Sequence, residues 1–246
     1  MLHLSRPLTQ LRHPLGPKVV FSYGMTKSGS TLAFELARTA LELSGFPQPM
    51  LPADATGTTR KINFAGHLDD GNISALAEAV RGIGHPVVVK THTRPDPCVI
   101  EMILRGEAII QASYRDPREM ALSMIDHGDR SRAVGKPAFA NIETLDDAMR
   151  DISSQIDSLT QWLYRPNCLP LYYEDVAFHG LGTTRRILRQ LQLDIPAGKV
   201  LSYVLRKRFI QLNIGIKKRF QGQMDEADQR VFRQTYRLFY QHLIRD

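Results

Sequence analysis

Cysteine is scarce. Only Cys98 and Cys168 occur, with no C-x-x-C spacing and no companion histidine cluster. A disulfide framework and a zinc site are therefore not expected, and a reducing, cytoplasmic setting is the default expectation. No apolar run reaches the ~18 residues that a membrane-spanning helix needs. The first stretch, MLHLSRPLTQLRHPLGPK, lacks the continuous apolar block of a secretory signal. Pro7, Pro14 and Pro17 break any amphipathic helix there, so residues 1–16 read as a poorly ordered extension ahead of one domain over 17–246. Glycine and proline show no three-residue period, which excludes a collagen-like chain. Aromatic residues reach only 8% and no basic-aromatic motif interleaves them, which argues against a nucleic-acid-binding module.

What is present suits a packed globule. The 246 residues are 43% hydrophobic and 23% charged. Lys and Arg number 32 against 25 Asp and Glu, a net charge of +7. Such a field favours anionic partners, phosphorylated cofactors among them.

Short β-branched or apolar runs alternate with helical periods. KVVFSY (18–23), VVVK (87–90), AIIQASY (108–114) and CLPLYYEDV (168–176) read as buried strands and their exits. Helical faces recur at Leu32, Leu36, Ala40 and Leu43, over 73–83, from Pro117 through Met120, Met124 and Ile125, and from Leu145 to Leu163. Further helices are expected near 183–192 and 197–209, and one with Val231, Tyr236, Phe239 and Leu243. Residues 45–72 carry no clear period, and 126–142, with Gly128, Gly135 and Pro137, read as a polar loop. This alternation predicts one α/β domain, a central parallel sheet with helices on both faces; with Gly24, Gly29 and Thr31 spaced after the first strand, the chain resembles the P-loop NTPases.

The first strand runs into Gly24-Met25-Thr26-Lys27-Ser28-Gly29-Ser30-Thr31. Gly24 and Gly29 have the spacing of G-x-x-x-x-G-K-[ST], but Ser30 stands where the lysine belongs and Lys27 lies at the loop tip. Strand, loop and helix N-terminus form an anion cradle whose cation approaches from another direction.

Thr26-Lys27-Ser28-Gly29-Ser30-Thr31 resembles the 5′-phosphosulfate loop of the sulfotransferases that use 3′-phosphoadenosine 5′-phosphosulfate (PAPS). Tyr114-Arg115-Asp116-Pro117-Arg118, with Ser123 eight residues after Arg115, resembles that family's 3′-phosphate motif. Lys90-Thr91-His92 resembles its catalytic-base segment, and Tyr172-Tyr173-Glu174-Asp175 its strand near the adenine. Lys217-Lys218-Arg219 resembles the basic clamp on the 3′-phosphate, although the usual Arg-Lys-Gly run is absent and Gly215-Ile216 precede it.

The resemblance implies PAPS as co-substrate, no metal, and a small-molecule or glycan acceptor with a hydroxyl or amine. It makes Lys27, Lys90 and His92 catalytic: Lys27 on the leaving phosphate, His92 as general base. Ser28, Gly29, Ser30, Thr31, Arg115, Ser123, Tyr173, Lys217, Lys218 and Arg219 become donor-binding residues. His92 ends a strand and its imidazole titrates near neutrality, as a base requires. His127 is the rival base, in a loop expected to face solvent, and Arg118 reads as a surface charge. The alternative is a nucleotide-dependent kinase-like enzyme, which predicts Mg²⁺ dependence and affinity for ATP. The sequence does not set the oligomeric state.

Overall fold

The computed structural model describes residues 12–59, 62–208 and 216–244. Most of the expected 1–16 extension, and Gly215 ahead of the basic clamp, lie outside the described residues.

Five strands form one parallel sheet in the order β2-β3-β1-β4-β5. They are β1 (Val19–Gly24), β2 (Phe64–Ala65), β3 (Val87–Thr91), β4 (Ala108–Tyr114) and β5 (Cys168–Tyr172). After β1 come α1 (Ser30–Leu43) and α2 (Ala53–Thr56); α3 (Asp70–Ile83), α4 (Pro97–Leu104), α5 (Pro117–Ala133) and α6 (Leu145–Leu163) are interleaved with the later strands. Beyond β5 lie α7 (Tyr173–Phe178), α8 (Gly180–Gln190), α9 (Ala197–Lys207), α10 (Phe220–Gln223), α11 (Glu226–Thr235) and α12 (Arg237–Leu243).

Strand alternation divides the core in two. Val19, Phe21 and Tyr23 of β1 join Val87 and Val89 of β3 in the cluster containing Leu76, Met102, Met120 and Trp162. Val20 and Val88 point the other way, onto Leu36, Ala37, Ile187 and Val200. Helices therefore cover both faces, as the continuous apolar strands demand.

Register levels the carboxyl ends of the strands. Tyr23 pairs with Thr91, Gly24 with Ser113 and Tyr114 with Tyr172. The chain passes from β1 to β3 on one side and then to β4 on the other. The crevice outside β1 and β4 is thus the topological switch point, where ligands of open α/β sheets bind.

The structure corrects several boundaries. α5 does not stop near Ile125 but continues through Gly128 to Ala133, so the 126–142 loop loses its first half. Residues 45–72 contain α2 and the edge strand β2. The single C-terminal helix is a series of short ones, broken at Tyr236 between α11 and α12. Among the described residues no helix is long and apolar enough to cross a membrane.

Candidate active site

The loop after β1 is locked at both glycines. A Cβ on Gly24 would lie 2.3 Å from Ser113 Oγ and 2.4 Å from Ser30 Cβ, so no other residue fits between β1 and β4 there. Gly29 holds φ +78°, the left-handed region. Ser28 is fully buried; its hydroxyl donates to the Met25 carbonyl at 2.6 Å and lies 2.9 Å from Ser113 Oγ. Ser28 therefore braces the loop against β4 instead of turning its hydroxyl toward a ligand.

α1 begins without a side-chain cap and without an acid in its first turn. The first N–H groups of such a helix have no intrahelical acceptor and carry its positive dipole end. They open into a cleft lined by Lys27, Gly29, Ser30 and Thr31 on one wall and by Arg115 and Ser123 on the other, with Tyr173, Val176 and Ala177 adding an apolar side. The enclosed part is about 70 Å³, room for anionic groups and not for a whole nucleotide.

Arg115 bridges the two walls. Its Nη1 donates to the Lys27 carbonyl at 3.2 Å, its Nη2 to Glu119 Oε2 at 2.8 Å, and its guanidinium lies 3.8 Å from the centre of the Tyr173 ring. Its Nε and the Ser123 hydroxyl are buried and have no partner among the described residues. Orphaned buried donors are costly, and two of them on one cleft wall fit an anionic ligand.

Arg118 is not the expected surface charge. It is buried, forks onto both oxygens of Asp116 at 3.1 and 2.6 Å, and packs 3.6 Å from the Phe220 ring centre. Glu119 accepts from the Phe220 N–H at 3.1 Å and Asp116 from the Tyr240 hydroxyl at 2.9 Å. The start of α5 is thus buttressed by α10 and α12.

The basic clamp splits. Lys217 and Lys218 line a crevice with Arg115, Tyr173 and Glu174. Arg219 is tied to Asp126 at 2.9 Å and to Gln223 instead.

Lys27, at φ +62°, reaches across to α5, where its Nζ lies 3.2 Å from His127 Nδ1. Burial, and then the charges of Arg130 and Arg115, lower its pKa from the usual lysine value. His127, placed by sequence in a solvent-facing loop, is a half-buried helix residue edge-on to Phe139 at 5.1 Å. Its pKa is lowered by burial, with Lys27 and Arg130 adding to the effect.

Lys90 and His92 do not line the cleft; they meet its loop from the β3 side. Lys90 Nζ donates to Thr31 Oγ1 at 2.9 Å, and burial pulls its pKa down to about 8. His92 Nδ1 lies 2.6 Å from the Gly24 carbonyl, which can only accept, so that nitrogen carries the proton and Nε2 keeps a lone pair. Burial lowers the His92 pKa to about 4.

Three supports carry no sequence motif. Gln155 of α6 accepts from the Thr26 N–H at 2.6 Å and donates to its hydroxyl at 2.8 Å, pinning the loop tip. Trp162, fully buried, donates to the Thr93 carbonyl at 2.9 Å and so fixes the turn that presents His92. Glu119 links Arg115 to the C-terminal segment. Only the amphipathic period of α6 hinted at the first two.

A glycine-locked strand–loop–helix at the switch point of a parallel sheet defines a P-loop-like α/β fold. No protein-family model and no curated protein matches the sequence. Solved structures do. Retinol dehydratase in complex with androsterone and inactive cofactor PAP aligns with a TM-score of 0.60 at 14% identity, over 96% of this chain and 83% of that one. Mouse sulfotransferase SULT7A1 complexed with PAP aligns with a TM-score of 0.59 at 14% identity, over 92% of this chain and 86% of that one. The chain has the fold of the PAPS-dependent sulfotransferases.

Proposed function

We propose that the protein transfers a sulfuryl group from PAPS to a hydroxyl or amine of a small-molecule or glycan acceptor. The observation that carries this reading is the pairing of two anion sites across one cleft. The uncapped start of α1 suits the 5′-phosphosulfate, and the orphaned Arg115 Nε and Ser123 Oγ suit the 3′-phosphate.

The donor's S–O bond to the 5′-phosphate breaks as the acceptor's oxygen or nitrogen bonds to sulfur. Lys27 and the α1 N-terminus stabilise the charge left on the phosphate. Lys90, outside the cleft lining, supports the transferring oxygens through its bond to Thr31 Oγ1. The acceptor's proton goes to His92 Nε2, whose tautomer the Gly24 carbonyl fixes. Tyr173 holds Arg115 by stacking and borders the adenine; Gly29, Ser30 and Thr31 contact the 5′-phosphate, and Lys217 and Lys218 face the 3′-phosphate. Arg219 is released from that role by its bond to Asp126. The androsterone and retinol found with retinol dehydratase support a small hydroxyl-bearing acceptor.

A kinase-like reading gains nothing from the site, since Ser30 replaces the lysine that would reach a γ-phosphate. Thermal unfolding separates the two. Adenosine 3′,5′-bisphosphate should raise Tm with EDTA present, because a ligand selective for the folded state stabilises it. Stabilisation by ATP–Mg²⁺ alone would sink the proposal.

A further inference from the structure

The positive charge of the chain is confined to one segment. Between His179 and Arg219 there are ten Lys or Arg and a single acid, Asp194. The remainder, with 22 basic and 24 acidic residues, is slightly acidic. The donor cleft uses only the last residues of this segment, which leaves the charge on α8 and α9 unaccounted for.

α8 gathers part of it around a concavity. Arg185, Arg186 and Arg189 line a cavity of about 540 Å³ together with His179, Gly182 and Thr183. Arg186 is satisfied: it donates to the Pro170 carbonyl at 2.6 Å and lies 3.7 Å from Asp175, the one acid lining the cavity among the described residues. Arg185 and Arg189 have no ion pair or side-chain hydrogen bond among the described residues, although they lie one turn apart on the same face, where like charges repel. A Cβ on Gly182 would meet nothing within 4 Å, so the cavity is open there. The volume falls in the ~300–1,000 Å³ range of ligand sites.

The cavity is not the donor cleft. Tyr173, Val176 and Ala177 of α7 line the cleft, whereas Asp175 of the same helix lines the cavity, so one short helix separates the two.

We propose that this cavity binds a sulfate or phosphate ester carried by a soluble polyanionic chain, held by the forks of Arg185 and Arg189. Guanidinium forks match the oxygens of such esters. Among the described residues no Phe, Tyr or Trp lines the cavity, which does not suit the stacking platform of a single-stranded nucleic-acid site.

The test is calorimetric titration of the full chain with dextran sulfate, neutral dextran serving as blank. The double variant Arg185→Glu/Arg189→Glu should bind dextran sulfate at least tenfold more weakly. Lys199→Glu/Lys207→Glu makes the same charge change on the exposed face of α9, outside the cavity, and should lose less than threefold. Adenosine 3′,5′-bisphosphate affinity should be unchanged in both, which reports intact folding. Equal losses in the two double variants would show diffuse attraction and overturn the site. So would wild-type protein that ignores dextran sulfate but binds phosphatidylserine vesicles. Binding is read without any turnover, so a failure here leaves the proposed transfer reaction standing, and the reverse holds too.

Discussion

Replacing His92 with asparagine keeps one hydrogen bond and removes one base. The asparagine amide can donate to the Gly24 carbonyl as Nδ1–H does at 2.6 Å in the wild type. It has no lone-pair nitrogen to take a proton. Two consequences separate. The folded-state pKa of about 4, lowered mainly by burial, lies below the ordinary histidine value of 6.5. Between those values the unfolded chain binds a proton that the folded chain refuses, so stability rises as pH climbs through that window. A difference of about 2.5 units sets a ceiling of about 3 kcal/mol on this contribution. Urea unfolding near pH 4.5 and pH 7 should show the rise in wild type and a smaller one in His92→Asn. For transfer, an exposed imidazole would give an inflection near 6.5, as the sequence suggests. The buried one is already neutral, so wild-type turnover with a hydroxyl acceptor should be flat between pH 5.5 and 7, above the His92 value of about 4 and below the Lys90 value of about 8. His92→Asn should lower turnover by ~10²–10⁴-fold, the usual worth of a general base, with bisphosphate binding nearly intact. Near-normal turnover in the variant would refute the assignment. A wild-type inflection near 6.5 that the variant abolishes would refute the argument from burial.

Arg115→Lys keeps a cation beside Glu119 but loses the fork. Titration should show bisphosphate affinity falling about tenfold or more while adenosine 5′-monophosphate is little affected, since a charge-assisted hydrogen bond is worth ~1.5–3 kcal/mol. Lys27→Ala should weaken donor binding and slow transfer together in steady-state kinetics. The same variant should let the His127 pKa move up toward its ordinary value, read by NMR titration, because Lys27 is one of the causes that depress it. Gly24→Ala drives a Cβ to 2.4 Å from Ser30 Cβ and should cost ~1–3 kcal/mol or more in thermal unfolding, with bisphosphate binding lost as well.

The parallel sheet was readable because its strands are short apolar runs, each followed at once by polar residues that serve the site. Gly24 through Thr31, Tyr114-Arg115 and Tyr172-Tyr173 announce strand ends by that abrupt change. β2 was not readable: two residues, Phe64 and Ala65, leave no period to detect. Gly128 misled in an instructive way. Its low helix propensity reads as a loop, yet a Cβ there would strike the Phe139 carbonyl at 2.5 Å and the Ile142 carbonyl at 2.7 Å. The glycine marks a close approach of the following segment to α5, and tertiary contact overrides propensity. A loop reading there leaves His127 in solvent, whereas the helix brings it to Lys27. Arg118 reads as a surface charge because Phe220 and Tyr240, whose rings cover it and its partner Asp116, come from the far end of the chain and reach them only through the fold. In the basic run, residue type could not separate Lys217 and Lys218 from Arg219; the position of Asp126 does.

The buttress on α5 bears on the order in which the chain is made. All five strands have been synthesised once Tyr172 is in place. At that moment Phe220 and Tyr240 do not yet exist. Glu119 lacks the N–H that shares it with Arg115, and the Asp116–Arg118 pair lacks its aromatic cover. A chain truncated soon after α8 would contain every strand of the sheet and the glycine loop, but an unbraced Arg115. Under the proposed roles, the wall at α1 is complete in such a chain before the wall at Arg115 is, so discrimination of a 3′-phosphate is expected to come last in synthesis.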